Sequence, residues 1–293
     1  MYFPKPYPDE LMGSIMIRAS HHLGLSTRRF GPMLDLANWE IPSFIYPRGL
    51  ARVATLCAKD ASELLWEHTL FPYVVWAPHL NARKQLEVQE LTDEPLTATF
   101  KLGRVFPNRL NATFFRKLCP ICASEEYRDL GETYWHRNHA LPGVFVCPLH
   151  QVRLHVTRIP LLKRGLLKWD VLPQETHGTA STEPADVALL SAIADASAMI
   201  LRGDYSPIPH KEAFYRLGYQ HECNPNGLHQ FSVDFGTFFG RDFLRQIDVP
   251  LTRLTRKSWP VAMAAADRAF DLDQPQLRWI LIDLFLAVRA AHA

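Results

Sequence analysis

Two short pairs, Cys119-Pro120-Ile121-Cys122 and, after 24 intervening residues, Cys147-Pro148-Leu149-His150, constrain this chain more than any other feature. In each half two ligand-type residues stand three positions apart. That is the spacing of a knuckle in which backbone N–H groups point at the thiolates while both side chains converge on one ion. Together the halves supply three sulfurs and one imidazole, a full tetrahedral shell for zinc. No position is left for a substrate water, so the spacing predicts a structural Zn2+ and not a catalytic one. Unpaired core cysteines and a redox CxxC are the alternatives, and the second Cys-Pro-x-His weighs against both. A zinc-deaminase signature fails, because no His-x-Glu precedes Cys119. Cys57 and Cys223 stand alone, and the spacing of His210, His221 and His229 near Cys223 matches no knuckle. His136 and His139 read as packing or hydrogen-bonding residues.

At 293 residues, and with about 150 residues per domain as a guide, the chain has room for two or three small domains. An apolar fraction of 47% with 17 Phe and 7 Trp excludes wholesale disorder and low-complexity architectures. The formal net charge of +2 sets up no whole-chain field toward polyanions, so contact with nucleic acid requires local patches. The opening Met1-Tyr2-Phe3-Pro4-Lys5-Pro6 lacks a signal-peptide pattern, and the most apolar stretch, 279–288, is interrupted by Asp283. The expectation is a soluble, cytoplasmic protein with no membrane partner. No G-x-x-x-x-G-K-[ST], G-x-G-x-x-G or G-x-S-x-G is present, and no trio of acids stands out as a metal-binding catalyst. The chain reads as a binding and assembly module, not an enzyme.

The expected fold class is mainly α, with helix-turn-helix-like domains around a small β-containing zinc ribbon. The expected domains are 1–96 (helical), 97–174 (zinc ribbon) and 185–293 (helical). Met12, Ile15, Met16, Ala19 and Leu23 recur at helical spacing up to Gly24. Ser26 can cap a second helix carrying Phe30, Met33, Leu34 and Ala37, and further helices fit 50–57 and 62–69. Short helices joined by tight turns suit either a DNA-reading helix-turn-helix or a plain helical or dimerisation domain. Val144-Phe145-Val146 favours short strands. The polar stretch 175–184 reads as a linker. Beyond it Val187, Leu190, Ile193 and Ile200 mark a helix, and 231–243 is rich in Phe and Gly. A last helix follows Asp273 and Pro275, with Leu277, Ile280, Leu281, Leu284 and Val288 on one face.

Basic residues cluster around these elements. Arg28 and Arg29 open the second helix. Lys101, Arg104, Arg109, Arg116 and Lys117 precede the first knuckle with no acidic residue among them, and Arg153, Arg158, Lys163, Arg164 and Lys168 follow the second in the same way. Such runs are either solvated faces or a strip facing phosphates, and the two acid-free stretches favour a DNA-contacting strip.

Several motifs together resemble the TniQ/TnsD family of transposon target-selection proteins. They are the opening Pro4-x-Pro6-x-Pro8-Asp9-Glu10-Leu11-x-x-Ser14 with Arg18, the box Glu67-His68-Thr69-Leu70-Phe71-Pro72, and the zinc element with Tyr134-Trp135-His136 and Leu141-Pro142 between its knuckles. Leu217-Gly218-Tyr219, Phe235-Gly236, Phe243-Leu244 and the helix after Pro275 add to them. The resemblance implies a non-enzymatic adaptor that binds double-stranded target DNA and recruits an AAA+ ATPase regulator of DNA transposition. It implies zinc on Cys119, Cys122, Cys147 and His150, and a further helix-turn-helix after the linker. CRISPR-associated members of the family instead dock, often as homodimers, on an RNA-guided effector. TnsD-like selectors usually carry a long extra C-terminal region absent here, which sets site reading by this chain alone against docking on a guide complex.

Overall fold

The computed structural model describes residues 2–33, 49–76, 87, 115–161, 171–220, 223–247, 258–265 and 275–291. Most of these residues are helical, around one three-stranded sheet.

The N-terminal helices are α1 (Met12–His22), α2 (Thr27–Met33), α3 (Leu50–Cys57), α4 (Ala61–His68) and the short α5 (Phe71–Val74). Helix α1 ends before Gly24, whose φ of 63° a Cβ would disfavour. The four residues 23–26 that join α1 to α2 match the length of a helix-turn-helix turn. Asp60 caps α4, its carboxylate accepting the N–H groups of Ser62 at 2.8 Å and Glu63 at 3.4 Å. Met12, Ile15, Met16, Phe30, Val53, Leu64 and Phe71 meet in one core, and Cys57 lies within it as an apolar filler. Leu34 and Ala37 lie outside the described residues.

The middle of the chain holds strand β1 (Phe115–Leu118), helix α6 (Pro120–Leu130) and strand β2 (His155–Pro160), with β3 (Thr179–Ala180) completing the antiparallel order β1-β2-β3. Two expectations change here. The stretch 175–184 is no free linker, because Thr179 and Ala180 pair with Val156 and His155. Of Val144-Phe145-Val146, Val146 forms an isolated bridge with Arg153, while all three side chains are buried. Their apolar content serves the core, so β-propensity marked burial instead of a ladder.

Helices α7 (Val187–Arg202), α8 (His210–Arg216), α9 (Gly227–Phe239), α10 (Arg241–Ile247), α11 (Trp259–Ala265) and α12 (Gln276–Ala291) follow. Asp186 caps α7, whereas Asp273, the expected cap of α12, lies outside the described residues. Helix α12 packs against α7 and α8, and Phe231 and Phe235 of α9, tilted against each other, both meet Phe285 of α12 edge-on. One core runs from the middle segment into these helices, joining Leu141, Val144 and Phe145 to Leu190, Ile193, Leu277 and Ile280. Asp283, the charge that breaks the apolar run, is buried and accepts the Tyr205 hydroxyl at 2.6 Å and the His210 imidazole. Among the described residues no helix is long and apolar enough to cross a membrane.

Candidate metal centre

Strand β1 delivers Cys119 to the N-cap of α6, where Pro120 fits the first helical turn because that position needs no N–H donor. One turn on, α6 places Cys122 beside it. The second knuckle is the tip of a small hairpin closed by Cys147 N–H to the Val152 carbonyl at 2.9 Å and Leu154 N–H to the Phe145 carbonyl at 2.9 Å. The left-handed conformation of Gln151, φ 54°, turns the chain back. Backbone N–H groups of Ile121 and Cys122 point at the Cys119 sulfur, and that of His150 at the Cys147 sulfur. The three cysteines are buried and His150 is half-buried.

Cys119, Cys122, Cys147 and His150 converge as the spacing required. Cys122 Sγ lies 3.8 Å from Cys147 Sγ, and His150 Nδ1 lies 3.6, 3.2 and 3.7 Å from the sulfurs of Cys119, Cys122 and Cys147. A tetrahedral zinc with Zn–S of about 2.3 Å and Zn–N of about 2.0–2.1 Å demands S···S edges near ~3.8 Å and S···N edges near ~3.6 Å. The four side chains therefore have the dimensions of a closed metal site. Hydrogen bonding between the sulfurs drives the Cys119 thiol well below its ordinary range and holds Cys122 above it. Three thiolates this close repel one another, so all three sulfurs lose their protons together only when a bound cation offsets the charge.

Around the centre the opening motif closes on the segment between the knuckles. Leu11 N–H donates to the Trp135 carbonyl at 2.9 Å, Arg137 N–H to the Asp9 carbonyl at 2.7 Å, and Trp135 N–H to Ser14 Oγ at 2.9 Å. The Asp9 carboxylate accepts Arg137 Nε at 3.2 Å and Asn138 N–H at 3.1 Å, and lies 3.5 Å from His136 Nδ1. His136 also bonds Glu126 on α6. Burial lowers the His136 pKa, but its hydrogen bonds to Asp9 and Glu126 overcome this and raise the value to about 9. His136 thus sets both ring nitrogens toward carboxylates, and Cys122, Glu126 and His136 also lie close enough together to hold an ion. Burial pushes His139 down to about 3, leaving a neutral imidazole.

Arg18 completes this junction. Its Nη1 reaches Glu10 at 2.7 Å, its Nη2 reaches Glu132 at 2.8 Å, and its guanidinium lies 3.8 Å above the Tyr7 ring. Burial raises the Glu10 carboxyl to about 7 even beside that cation. The second box contributes backbone and imidazole: His68 Nδ1 bonds the Glu10 carbonyl at 2.9 Å, and Arg137 donates to the Trp66 and Thr69 carbonyls. Glu132 could not be found from sequence, since nothing local ties it to Arg18. Arg18 itself was singled out with the opening motif, and its charge on the buried face of α1 is a second signal.

The predicted basic strip divides. Arg29 on α2 and Arg158 on β2 are exposed. Arg153 is half-buried and donates to the carbonyls of Ser181, Glu183 and Ala185, fastening the segment that holds β3. Arg116 and Lys117 do not belong to a surface strip. Both are buried, Arg116 over the Trp135 ring and Lys117 with its ammonium donating to the Leu141 carbonyl at 2.9 Å and the Val144 carbonyl at 2.6 Å. The charge pattern was blind to this because both faces of β1 are covered, so neighbouring side chains that point to opposite faces are each buried. The side chain of Arg28 and all of Lys101, Arg104, Arg109, Lys163, Arg164 and Lys168 lie outside the described residues.

A model of the TniQ family matches residues 1–154. The Transposon Tn7 transposition protein TnsD of Escherichia coli is 27% identical over 157 residues, covering 50% of this chain and 30% of that protein. The chain thus spans well under half the length of this curated relative.

Proposed function

The chain belongs to the TniQ family, and from that premise we propose that it is a target-site selection adaptor of a Tn7-like transposition system. It binds double-stranded target DNA and recruits an AAA+ regulator, and it carries out no chemistry on the DNA itself. The observation that carries this reading is the junction between the opening motif and the knuckle segment. Asp9, Leu11, Ser14 and Arg18, which the family resemblance singles out, are spent on intramolecular contacts with 132–138, and Glu10 is spent on Arg18 and His68. Residues used this way build a rigid platform and not a reactive centre.

Zinc on Cys119, Cys122, Cys147 and His150 supplies cross-linking: it ties β1 and α6 to the 147–150 hairpin, a region of short elements. DNA contact falls to Arg29, beside the four-residue turn between α1 and α2, to Arg158, and to the flanking Arg28, Lys101, Arg104, Arg109, Lys163, Arg164 and Lys168. Each phosphate neutralised adds about −0.9 to the slope of log K against log salt.

Footprinting the full chain on duplexes from its own transposon's insertion sites, at about 150 mM salt with random competitor DNA, tests the proposal. A discrete protected site that also retains the AAA+ regulator is the expected result. Diffuse, competitor-sensitive binding overturns site reading by this chain and favours docking on an RNA-guided effector.

A further inference from the structure

The metal centre described above has protein groups around its ligands whose geometry is specific. His150 presents Nδ1 to the three sulfurs and turns Nε2 toward Glu125, 3.1 Å from its Oε2. An imidazole that coordinates through Nδ1 carries its proton on Nε2, so this contact is a hydrogen bond donated to the carboxylate. Glu125 stands three residues after Cys122 on α6, which puts ligand and carboxylate on the same face one turn apart. On the opposite side His139, fully enclosed, sets Nε2 3.5 Å from Cys147 Sγ while its Nδ1 has no partner. The tautomer follows from that asymmetry. A proton on Nδ1 would orphan a buried donor and aim the Nε2 lone pair at sulfur, whereas a proton on Nε2 gives an N–H···S bond.

Resting on the zinc reading above, we propose that Glu125 and His139 form an outer shell for this centre, Glu125 fixing the His150 ring and His139 donating to the Cys147 thiolate. Three thiolates and a dication leave a net negative charge in a buried place. A donor on one sulfur disperses that charge, and the carboxylate on the imidazole strengthens it as a ligand. Both are positioning residues and neither is itself a ligand. The 3.5 Å contact singles out Cys147 as the thiolate that His139 faces.

The test uses the full chain loaded with Co2+ as a spectroscopic substitute and with Zn2+ in chelator competition. Glu125 is 45% exposed, so Glu125→Ala leaves the fold intact by circular dichroism. It should weaken Zn2+ binding about 10-fold or more, while Glu125→Gln, whose amide oxygen still accepts, keeps most of the affinity. His139→Phe should shift the thiolate-to-cobalt charge-transfer bands to lower energy, and His139→Gln, with an N–H near the same place, should return them. Glu125→Ala binding within about twofold of the parent, or a His139→Phe spectrum that superimposes on the parent's, overturns the outer shell. Should His139→Phe not fold, the exposed Glu125 series decides alone. A parent protein that takes up neither ion overturns the metal reading itself, an outcome separate from normal uptake with insensitive variants.

Discussion

Asp9 is where the opening motif can be tested as a structural junction. Its carboxylate accepts from Arg137 Nε and Asn138 N–H and faces protonated His136, and these contacts hold its pKa below the usual carboxylate value against the opposing effect of burial. Its backbone is also unusual, with φ at 58°. Asn tolerates that region far better than Ala does, a difference of about 1 kcal/mol. Hydrogen bonds to charged groups contribute about 1.5–3 kcal/mol each, and stripping one partner from a buried ionic cluster costs about 3–5 kcal/mol. Asp9→Ala, which loses both the charge and the acceptors in a strained conformation, should therefore destabilise by about 4 kcal/mol. Asp9→Asn keeps the shape and one oxygen and should cost about half as much. Against a total stability of about 5–15 kcal/mol the difference is easily read from urea unfolding followed by tryptophan fluorescence at constant m. Midpoints of both variants within about 0.5 kcal/mol of the parent would refute the junction. Equal losses in both would assign the effect to charge and remove the backbone argument.

The pH profile has a worked sign: His136, raised to about 9, contributes stability that is complete below about 6.5 and lost as pH rises through 9, about 3 kcal/mol in all. Glu10, raised to about 7, acts in the same direction between about 4.5 and 7, but buried His139, lowered to about 3, opposes it up to about 6.5, so urea midpoints should fall from about pH 6.5 to pH 9 and Glu10→Gln should unmask a rise below that range. A flat or rising profile over that range would contradict the His136 assignment, and a Glu10→Gln profile without the rise would contradict that of Glu10. Chelation, or Cys119→Ser or Cys147→Ser, should remove metal and unfold the 115–161 region, because structural zinc supplies about 10–16 kcal/mol; unchanged calorimetric melting would defeat that prediction. Gly227→Ala would bring a Cβ to 2.6 Å from the Gly218 carbonyl oxygen and 2.7 Å from the Tyr219 backbone, so it should cost about 2–3 kcal/mol. At Gly203, where a Cβ meets nothing and φ is 81°, the cost should be nearer 1 kcal/mol, and thermal melts of the pair give the comparison.

What could be read without coordinates was local. The knuckles were legible because coordination fixes ligand spacing within a few residues, and α1, α3, α4, α7 and α12 because an apolar face repeats with the helical period. Gly24 marked its turn for the equally local reason that its φ is positive. The tertiary structure decided what lies between these pieces. Arg18 meets Glu132 across 114 positions of chain, and Asp9 meets Arg137 across 128. Lys117 and Arg116, surface charges by composition, became buried because β1 carries Lys117 beneath the 141–145 segment, where its ammonium donates to two carbonyls, and Arg116 over the Trp135 ring. Thr179 and Ala180, polar and small, became a strand only because β2 offered an open edge. Spacing along the chain encodes which residues share a helix face or an ion. Which distant carboxylate receives a buried cation depends on how the finished elements stack, and that follows from summed packing that no single stretch of sequence contains.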